Sequence, residues 1–421
     1  MVSTSILTPK RLSEHLSNFV YREKEDLFAD GQKTRIENRQ IEDREVVRFV
    51  NEFWTSKQRQ SSSIHEISYR ACFKSQLPRF FIQLVTRPGD TVYDPFNGRG
   101  TTIIEAGLLG RRAIGNDINP LSRVLTLPRF QIPDIHEIED RLERIHVAKT
   151  IKSDIDLSMF YHPKTLAEVL SLRKYLHNQH RKEKEDCVDQ WIRMVATNRL
   201  TGHSKGFFSV YSLPPNQAIS PEKQRKINEL RKQQPDYRDT RLLIIRKTKS
   251  LVCDLTDKER DLLKMAGNTV QFFTEDARNT SAIASNSVQL TVTSPPFLDV
   301  VQYAQDNWLR CWFNHIDAEE VERGITMSKK VSDWASVMQQ VFHELYRITT
   351  PGGYVAFEVG EVRGGKIKLE EYVIPLGIRA GFECVGVMIN TQDFTKTANI
   401  WGISNNLKGT NTNRIAIFNK R

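Results

Sequence analysis

The chain has 421 residues, enough for two to three domains of about 150 residues each. Its 61 Lys and Arg outnumber 51 Asp and Glu by ten, a bias that predicts a polyanionic partner. No apolar run reaches the roughly 18 to 20 residues that cross a bilayer, the first residues do not form a signal peptide, and five scattered cysteines fit neither a disulfide framework nor a zinc knuckle, so a cytoplasmic protein is expected.

Residues 1–60 read as a helical extension, because Val46, Val47, Val50, Phe53 and Trp54 fall on one helical face. A serine-rich joint at 61–63 then opens a first core segment, 61–150. It predicts a helix at 77–85, a strand at 91–93, a turn through Asn97-Gly98-Arg99-Gly100, a helix at 101–109 and a strand at 112–115 ending at Asp117. Together these form one βαβ unit. Residues 151–264 are helical and basic, with a turn-rich centre at 201–221, and read as an insertion. Strand patterns resume at 269–273, 287–293, 353–359, 383–389 and 414–418, which makes 265–421 the second part of the core. Strands alternating with helices predict an α/β fold, a mostly parallel sheet flanked by helices, with its ligand at the strand C-terminal ends.

The positive charge is localised. Residues 171–250 carry 18 basic and 8 acidic side chains, while the other 341 residues carry 43 of each sign. Any single run suits a solvated helix face, but the block as a whole points to nucleic acid.

Two clusters carry chemistry. Asp94-Pro95-Phe96-Asn97-Gly98-Arg99-Gly100 follows a strand and opens a helix, where glycines let backbone approach a ligand. A tight strand-to-helix turn would need the same glycines. Asp117, at the end of the next strand, is placed to accept from a ribose diol. With no G-x-G-x-x-G, a single nucleoside-like cofactor is expected rather than a dinucleotide. The second cluster, Thr293-Ser294-Pro295-Pro296-Phe297, ends an apolar strand. Paired prolines cannot continue a central strand, so they fix a rigid loop. A Ser hydroxyl beside a Pro carbonyl can accept both hydrogens of an exocyclic NH2, while Phe297 can stack on a base.

These residues resemble the class I S-adenosylmethionine-dependent DNA amino-methyltransferases, the N4-cytosine and N6-adenine family, over 64–125 and 269–421. The resemblance implies a Rossmann-like class I methyltransferase fold, and target recognition is assigned to the helical basic insertion, 151–264, by inference. Phe73, Lys74 and Ser75 are similar to the family's N-terminal cofactor motif, and Asp94, Pro95, Phe96, Asn97, Gly98, Gly100, Thr101 and Thr102 to its glycine loop. Asp117 and Ile118 resemble the ribose-binding motif, and Asp276 and Ala277 the site of the acid that contacts adenine. Ser294, Pro295, Pro296 and Phe297 resemble the catalytic S-P-P-[YF] motif, which implies cytosine N4 more often than adenine N6. Two features depart from the family pattern: Arg99 replaces a small residue, and the insertion precedes Asp276 instead of following it.

The implied reaction is direct methyl transfer to cytosine N4 in flipped-out duplex DNA, with Ser294 Oγ and the Pro295 carbonyl favouring a pyramidal nitrogen. No cysteine follows a proline, so the covalent route of the cytosine C5 enzymes has no evident nucleophile. Arg193, Arg199, Lys205, Phe207 and Tyr211 are the expected DNA contacts. No metal is expected, and a cognate restriction endonuclease is a possible partner. An adenine N6 or RNA amine substrate, or a silent cofactor-binding protein, are the alternatives these residues leave open.

Overall fold

A computed structural model describes residues 6–22, 31–54, 62–70, 72–149, 151–214, 217–296, 303–325, 330–362, 366–391 and 412–421. The N-terminal part holds α1 (Pro9–Ser17), a two-residue pairing of β1 (Val20–Tyr21) with β2 (Gln32–Lys33), and a hairpin of β3 (Arg35–Ile41) and β4 (Arg44–Asn51). The helix expected across Val46 to Trp54 is therefore corrected to a strand. Val46 and Val50 are four apart and satisfy either period, but the β-branched, aromatic run Val46-Val47-Arg48-Phe49-Val50 fits a pleated, two-faced surface. Burial alternates between cores: Val46 and Val50 face one, Phe49 the other.

The serine joint is pinned rather than loose. Ser63 Oγ donates to the Leu251 carbonyl over 2.9 Å, and its N–H donates to the Asp254 carboxylate. After it come α2 (Gln76–Val85), β5 (Thr91–Asp94), α3 (Thr101–Leu108), β6 (Arg112–Asn116), α4 (Leu121–Thr126) and α5 (Ile135–Arg144). Asp134 and Glu137 close a capping box at the start of α5. The insertion consists of α6 (Pro163–Arg181), α7 (Cys187–Arg199), α8 (Pro221–Arg231), α9 (Thr240–Leu251) and α10 (Asp257–Gly267). Its central helix, α7, is buried along almost its whole length, and Trp191 Nε1 donates to Thr248 Oγ1 of α9 over 3.0 Å. Trp191, Leu121 and Leu290 belong to one hydrophobic cluster, so a single core runs from the βαβ unit into the insertion.

The chain then lays down β7 (Gln271–Phe273), β8 (Val288–Thr293), α11 (Tyr303–Phe313), α12 (Ala318–Gly324), α13 (Val331–Ile348), β9 (Thr349–Val359), the short pair β10 (Glu361–Val362) and β11 (Ile367–Lys368), α14 (Glu370–Arg379), β12 (Glu383–Thr391) and β13 (Thr412–Asn419). Among the described residues the main sheet has nine strands, in the order β3-β4-β12-β13-β9-β8-β5-β6-β7. From β7 to β9 all neighbours are parallel, and β13 is inserted antiparallel between β9 and β12. The strand order reverses between β5 and β8. In an open α/β sheet such a switch point leaves a crevice at the strand C-terminal ends, here beside Asp94 and Thr293.

Candidate active site

The two loops that leave β5 and β8 are tied together beneath this crevice. Thr293 Oγ1 donates to Asp94 Oδ1 over 2.6 Å, and the Phe96 N–H donates to the same oxygen at 3.1 Å. Burial pushes the Asp94 carboxyl up to about 7, against the lowering effect of those bonds. From β5 the chain turns through Gly98 and Gly100, with φ of +52° and +82°. A Cβ on Gly100 would lie 2.5 Å from the Thr126 side chain, so the turn needs glycine there for backbone and space alike. Asn97 Nδ2 fixes the turn from below through Ser122 and Thr126. At the end of β6, Asp117 receives the Gly98 N–H at 2.7 Å and the Asn119 N–H at 2.9 Å. Low-polarity surroundings push its carboxyl up to about 6.

Above this floor lies a cleft of about 800 Å³ that opens to solvent. Pro95, Phe96, Gly98, Asp117, Ile118, Asp276 and Ala277 line it together with Ser294 and Pro296, so residues far apart in sequence meet at one site. Asp276 is engaged by Arg278, whose side chain reaches its carboxylate at 2.5 Å and holds it below the usual range. The other predicted residues lie behind the cleft. Asp94, Asn97, Gly100, Thr101 and Thr102 are its foundation, with Thr102 Oγ1 donating to the Val292 carbonyl at 3.0 Å. Pro295 is buried beneath the loop, and Phe297 lies outside the described residues. Phe73, Lys74 and Ser75 do not line the cleft either, but Arg99 links them to it. Its guanidinium donates to the carbonyls of Ile67 and Phe73, so it turns away from the cleft and staples the segment before α2 against the glycine turn.

Several lining residues carry no motif. Tyr69 stands over Gly98, and Val337, Met338 and Val341 of α13 supply an apolar wall. Their signal is the apolar stripe of α13, which also contains Trp334, Phe342 and Leu345 and reads as ordinary core packing. Gly324 and Ile325 complete the rim; a Cβ on Gly324 would come within 2.8 Å of Ile118.

The predicted DNA contacts are mostly internal. Arg193 is buried, paired with Glu185 at 2.5 Å and donating to the Leu176 carbonyl. Arg199 is buried with its guanidinium 4.0 Å from the Phe207 ring, and Phe207 itself is only 5% exposed. All three side chains are turned inward: α7 forms the centre of the insertion, Phe207 packs against Arg199, and a charge count does not reveal which cations have internal partners. Lys205 is exposed, and Tyr211 is half-buried beneath Arg231, 3.8 Å from its ring. Five exposed cations lie on α8 and its end, at Lys223, Arg225, Lys226, Arg231 and Lys232, and a second group lies at the end of α6, at Arg181, Lys182 and Lys184. The loop leading into α8 is held to α11, since Ala218 N–H donates to the Asp306 carbonyl and Trp308 Nε1 to the Ile219 carbonyl. Among the described residues no helix is long and apolar enough to cross a membrane, and no His, Cys, Asp and Glu group could hold a metal ion.

The strand order, the crevice between β5 and β8 and the acid at the end of β6 define a Rossmann-like α/β fold, a mostly parallel sheet flanked by helices. Residues 13–122 match the N6/N4 family model described as DNA methylase. The chain is 31% identical over 85 residues to the type II methyltransferase M.MjaII of Methanocaldococcus jannaschii, covering 20% of this chain and 16% of that protein. It is 41% identical over 71 residues to the type II methyltransferase M.BsoBI of Geobacillus stearothermophilus, covering 16% of this chain and 14% of that one. The matches thus span about one-seventh of the length of these curated relatives. Among solved structures, TTHA0409 of Thermus thermophilus, complexed with S-adenosyl-L-methionine, is 20% identical over 34% of this chain and 50% of that chain, with a TM-score of 0.21.

Proposed function

We propose that this chain transfers a methyl group from S-adenosylmethionine to the exocyclic N4 amine of cytosine in duplex DNA. The observation that carries this reading is the meeting of Ser294 and Pro296 with Gly98 and Asp117 in one cleft. The residues present suit the cofactor: a carboxylate at the end of β6 for a ribose diol, an apolar wall from α13 for a purine, and acids at 275 and 276 for its amine. When bound there, the cofactor supplies an electrophilic methyl on a sulfonium.

The chain's own residues do the rest. An exocyclic amine is a weak nucleophile because its lone pair is delocalised into the ring. Ser294 Oγ and the Pro295 carbonyl accept its two hydrogens and turn the lone pair out of the ring plane. The Pro296 carbonyl is already used, since it accepts from Trp334 Nε1 at 2.9 Å. Of the two proline carbonyls, that of Pro295 is the one assigned to substrate. The base leaves the duplex at a cost of a few kcal/mol, which stacking of about 1 to 3 kcal/mol offsets, with Phe297 in the family's stacking position. Serine and phenylalanine flanking the two prolines favour cytosine over adenine. The exposed cations of α8 give DNA its docking surface.

Incubation with labelled S-adenosylmethionine and duplex DNA, followed by nucleoside mass spectrometry, tests the reading. N4-methylcytosine is expected. N6-methyladenine would redirect the base assignment, and label in RNA alone, or in no nucleic acid, would overturn the function.

A further inference from the structure

The polar chain that starts at Ser294 continues into the sheet. β8 and β9 run parallel with Thr293 opposite Phe357, which sets Ser294 beside Glu358, and the Ser294 side chain is hydrogen bonded to the Glu358 carboxyl. Glu358 is 7% exposed, and its Oε1 accepts from Asn413 Nδ2 of β13 at 2.8 Å. Burial raises its carboxyl above the usual carboxylate range, while the two hydrogen bonds hold it down; no cationic side chain among the described residues contributes. A buried carboxyl without a cation is a costly way to tie β9 to β13, because a glutamine would accept from Asn413 without the charge. Its other neighbour is the hydroxyl that faces the cleft.

We infer that Glu358, held by Asn413, positions the Ser294 hydroxyl and receives the proton that the amine must lose; this rests on the amino-methyl transfer proposed above. The Ser294 O–H donates to the carboxylate, which turns the oxygen's lone pairs toward the substrate N–H. Methyl addition leaves the amine nitrogen positively charged with one hydrogen too many. That N–H bond breaks with its electron pair remaining on nitrogen, and the proton passes to Ser294 Oγ. The proton Ser294 already carried moves to Glu358. A cation and a carboxylate thereby become a neutral amine and a neutral carboxylic acid, which later returns its proton to solvent. No other reactant is needed.

The test uses the full chain with labelled S-adenosylmethionine and duplex DNA. Glu358→Gln should slow single-turnover transfer by about a hundredfold while cofactor affinity stays within about twofold. Glu358→Asp should recover part of the rate, because it restores a carboxylate. Independently of activity, the Glu358 carboxyl can be titrated by carbon-13 resonance in glutamate-labelled protein. Ser294→Ala should raise its midpoint, because a hydrogen bond that favours the charged form is lost. Full-rate transfer by Glu358→Gln, equal slowing by Gln and Asp, or a midpoint indifferent to Ser294→Ala would each overturn the relay while leaving the methyl transfer standing. A wild-type chain that methylates no nucleic acid would overturn the function and the relay with it.

Discussion

The indole N–H of Trp334 donates to the main-chain carbonyl of Pro296 over 2.9 Å, joining the sheet's flanking helix α13 to the loop that presents Ser294. Trp334 has no exposed surface, and Val337, Met338 and Val341 of the same helix wall the cleft. One helix therefore walls the cleft and fixes the loop that carries Ser294. Trp334→Phe keeps most of the apolar packing and removes only the donor, leaving a carbonyl short of its bond at a cost of about 1–3 kcal/mol. The expected result is transfer slowed by about tenfold, a loss of about 1.4 kcal/mol in transition-state stabilisation, with cofactor affinity nearly unchanged. Single-turnover rates and a cofactor titration separate the two. Equal losses in both would assign Trp334 to packing alone.

Behind the glycine turn, Glu105 of α3 is fully buried and accepts from His65 Nε2 at 2.7 Å and from Arg79 Nε at 2.8 Å. Burial lowers the His65 pKa, so the ring is neutral near pH 7 and donates one hydrogen. Glu105→Gln removes the charge that Arg79 pairs with and keeps both bonds only if the His65 ring switches tautomer, so it is expected to lower the free energy of unfolding by about 1–3 kcal/mol. Urea unfolding should show an earlier midpoint with an unchanged slope. An unaltered midpoint would mean that water replaces the missing bonds.

What could be read from the residues follows from range of interaction. The βαβ unit and the strand ending at Thr293 were legible because glycine, proline and apolar runs act over a few neighbours, and β5, β6 and β8 lie within a residue or two of expectation. The convergence of Asp117, Asp276 and Ser294 was legible only through motif resemblance. Val46 and Val50 misled because a four-residue interval satisfies both helix and strand. Arg193 and Arg199 misled for another reason: their partners, Glu185 and the Phe207 ring, are set by tertiary packing. Arg99 could be seen as an anomaly, but not as a staple, since its acceptors are main-chain carbonyls that every sequence possesses.

Asp94 and Asp117 make pH dependence a test of the site. Their carboxyls are raised from 3.8 to about 7 and about 6. Between the unfolded and folded values the native state binds more protons than the unfolded chain, so their contribution to stability falls as pH rises, through about pH 7 for Asp94 and pH 6 for Asp117. Above those values the loss is complete. Cofactor binding should move the other way, because a ribose diol needs the Asp117 carboxylate as acceptor, and affinity should rise as pH passes about 6. Urea unfolding at several pH values should give a shallower decline for Asp94→Asn than for the wild type. Cofactor titration over the same range should lose its inflection in Asp117→Asn. Retention of the inflection would remove Asp117 from the ribose site.

The internal placement of Arg193 and the exposure of α8 separate two uses of positive charge that a count along the chain cannot distinguish. Removing Arg193 takes the closer cation from Glu185, in a site where both side chains are about 10% exposed, and leaves it only the exposed His180 at 2.9 Å. Breaking such a pair costs about 3 kcal/mol or more, so Arg193→Ala should lower stability while the folded fraction binds DNA as before. Lys223, Lys226 and Lys232 are exposed on α8 and at its end, and none is part of the core. Reversing all three should weaken duplex binding by about tenfold or more and reduce the steepness of its salt dependence by about 0.9 for each phosphate no longer neutralised. Unfolding midpoints and cofactor affinity should not move. Binding measured from low to moderate salt decides the matter: an unchanged slope would move the DNA surface off α8, whereas a reduced slope in Arg193→Ala would mean that cations packed inside the insertion still act on DNA.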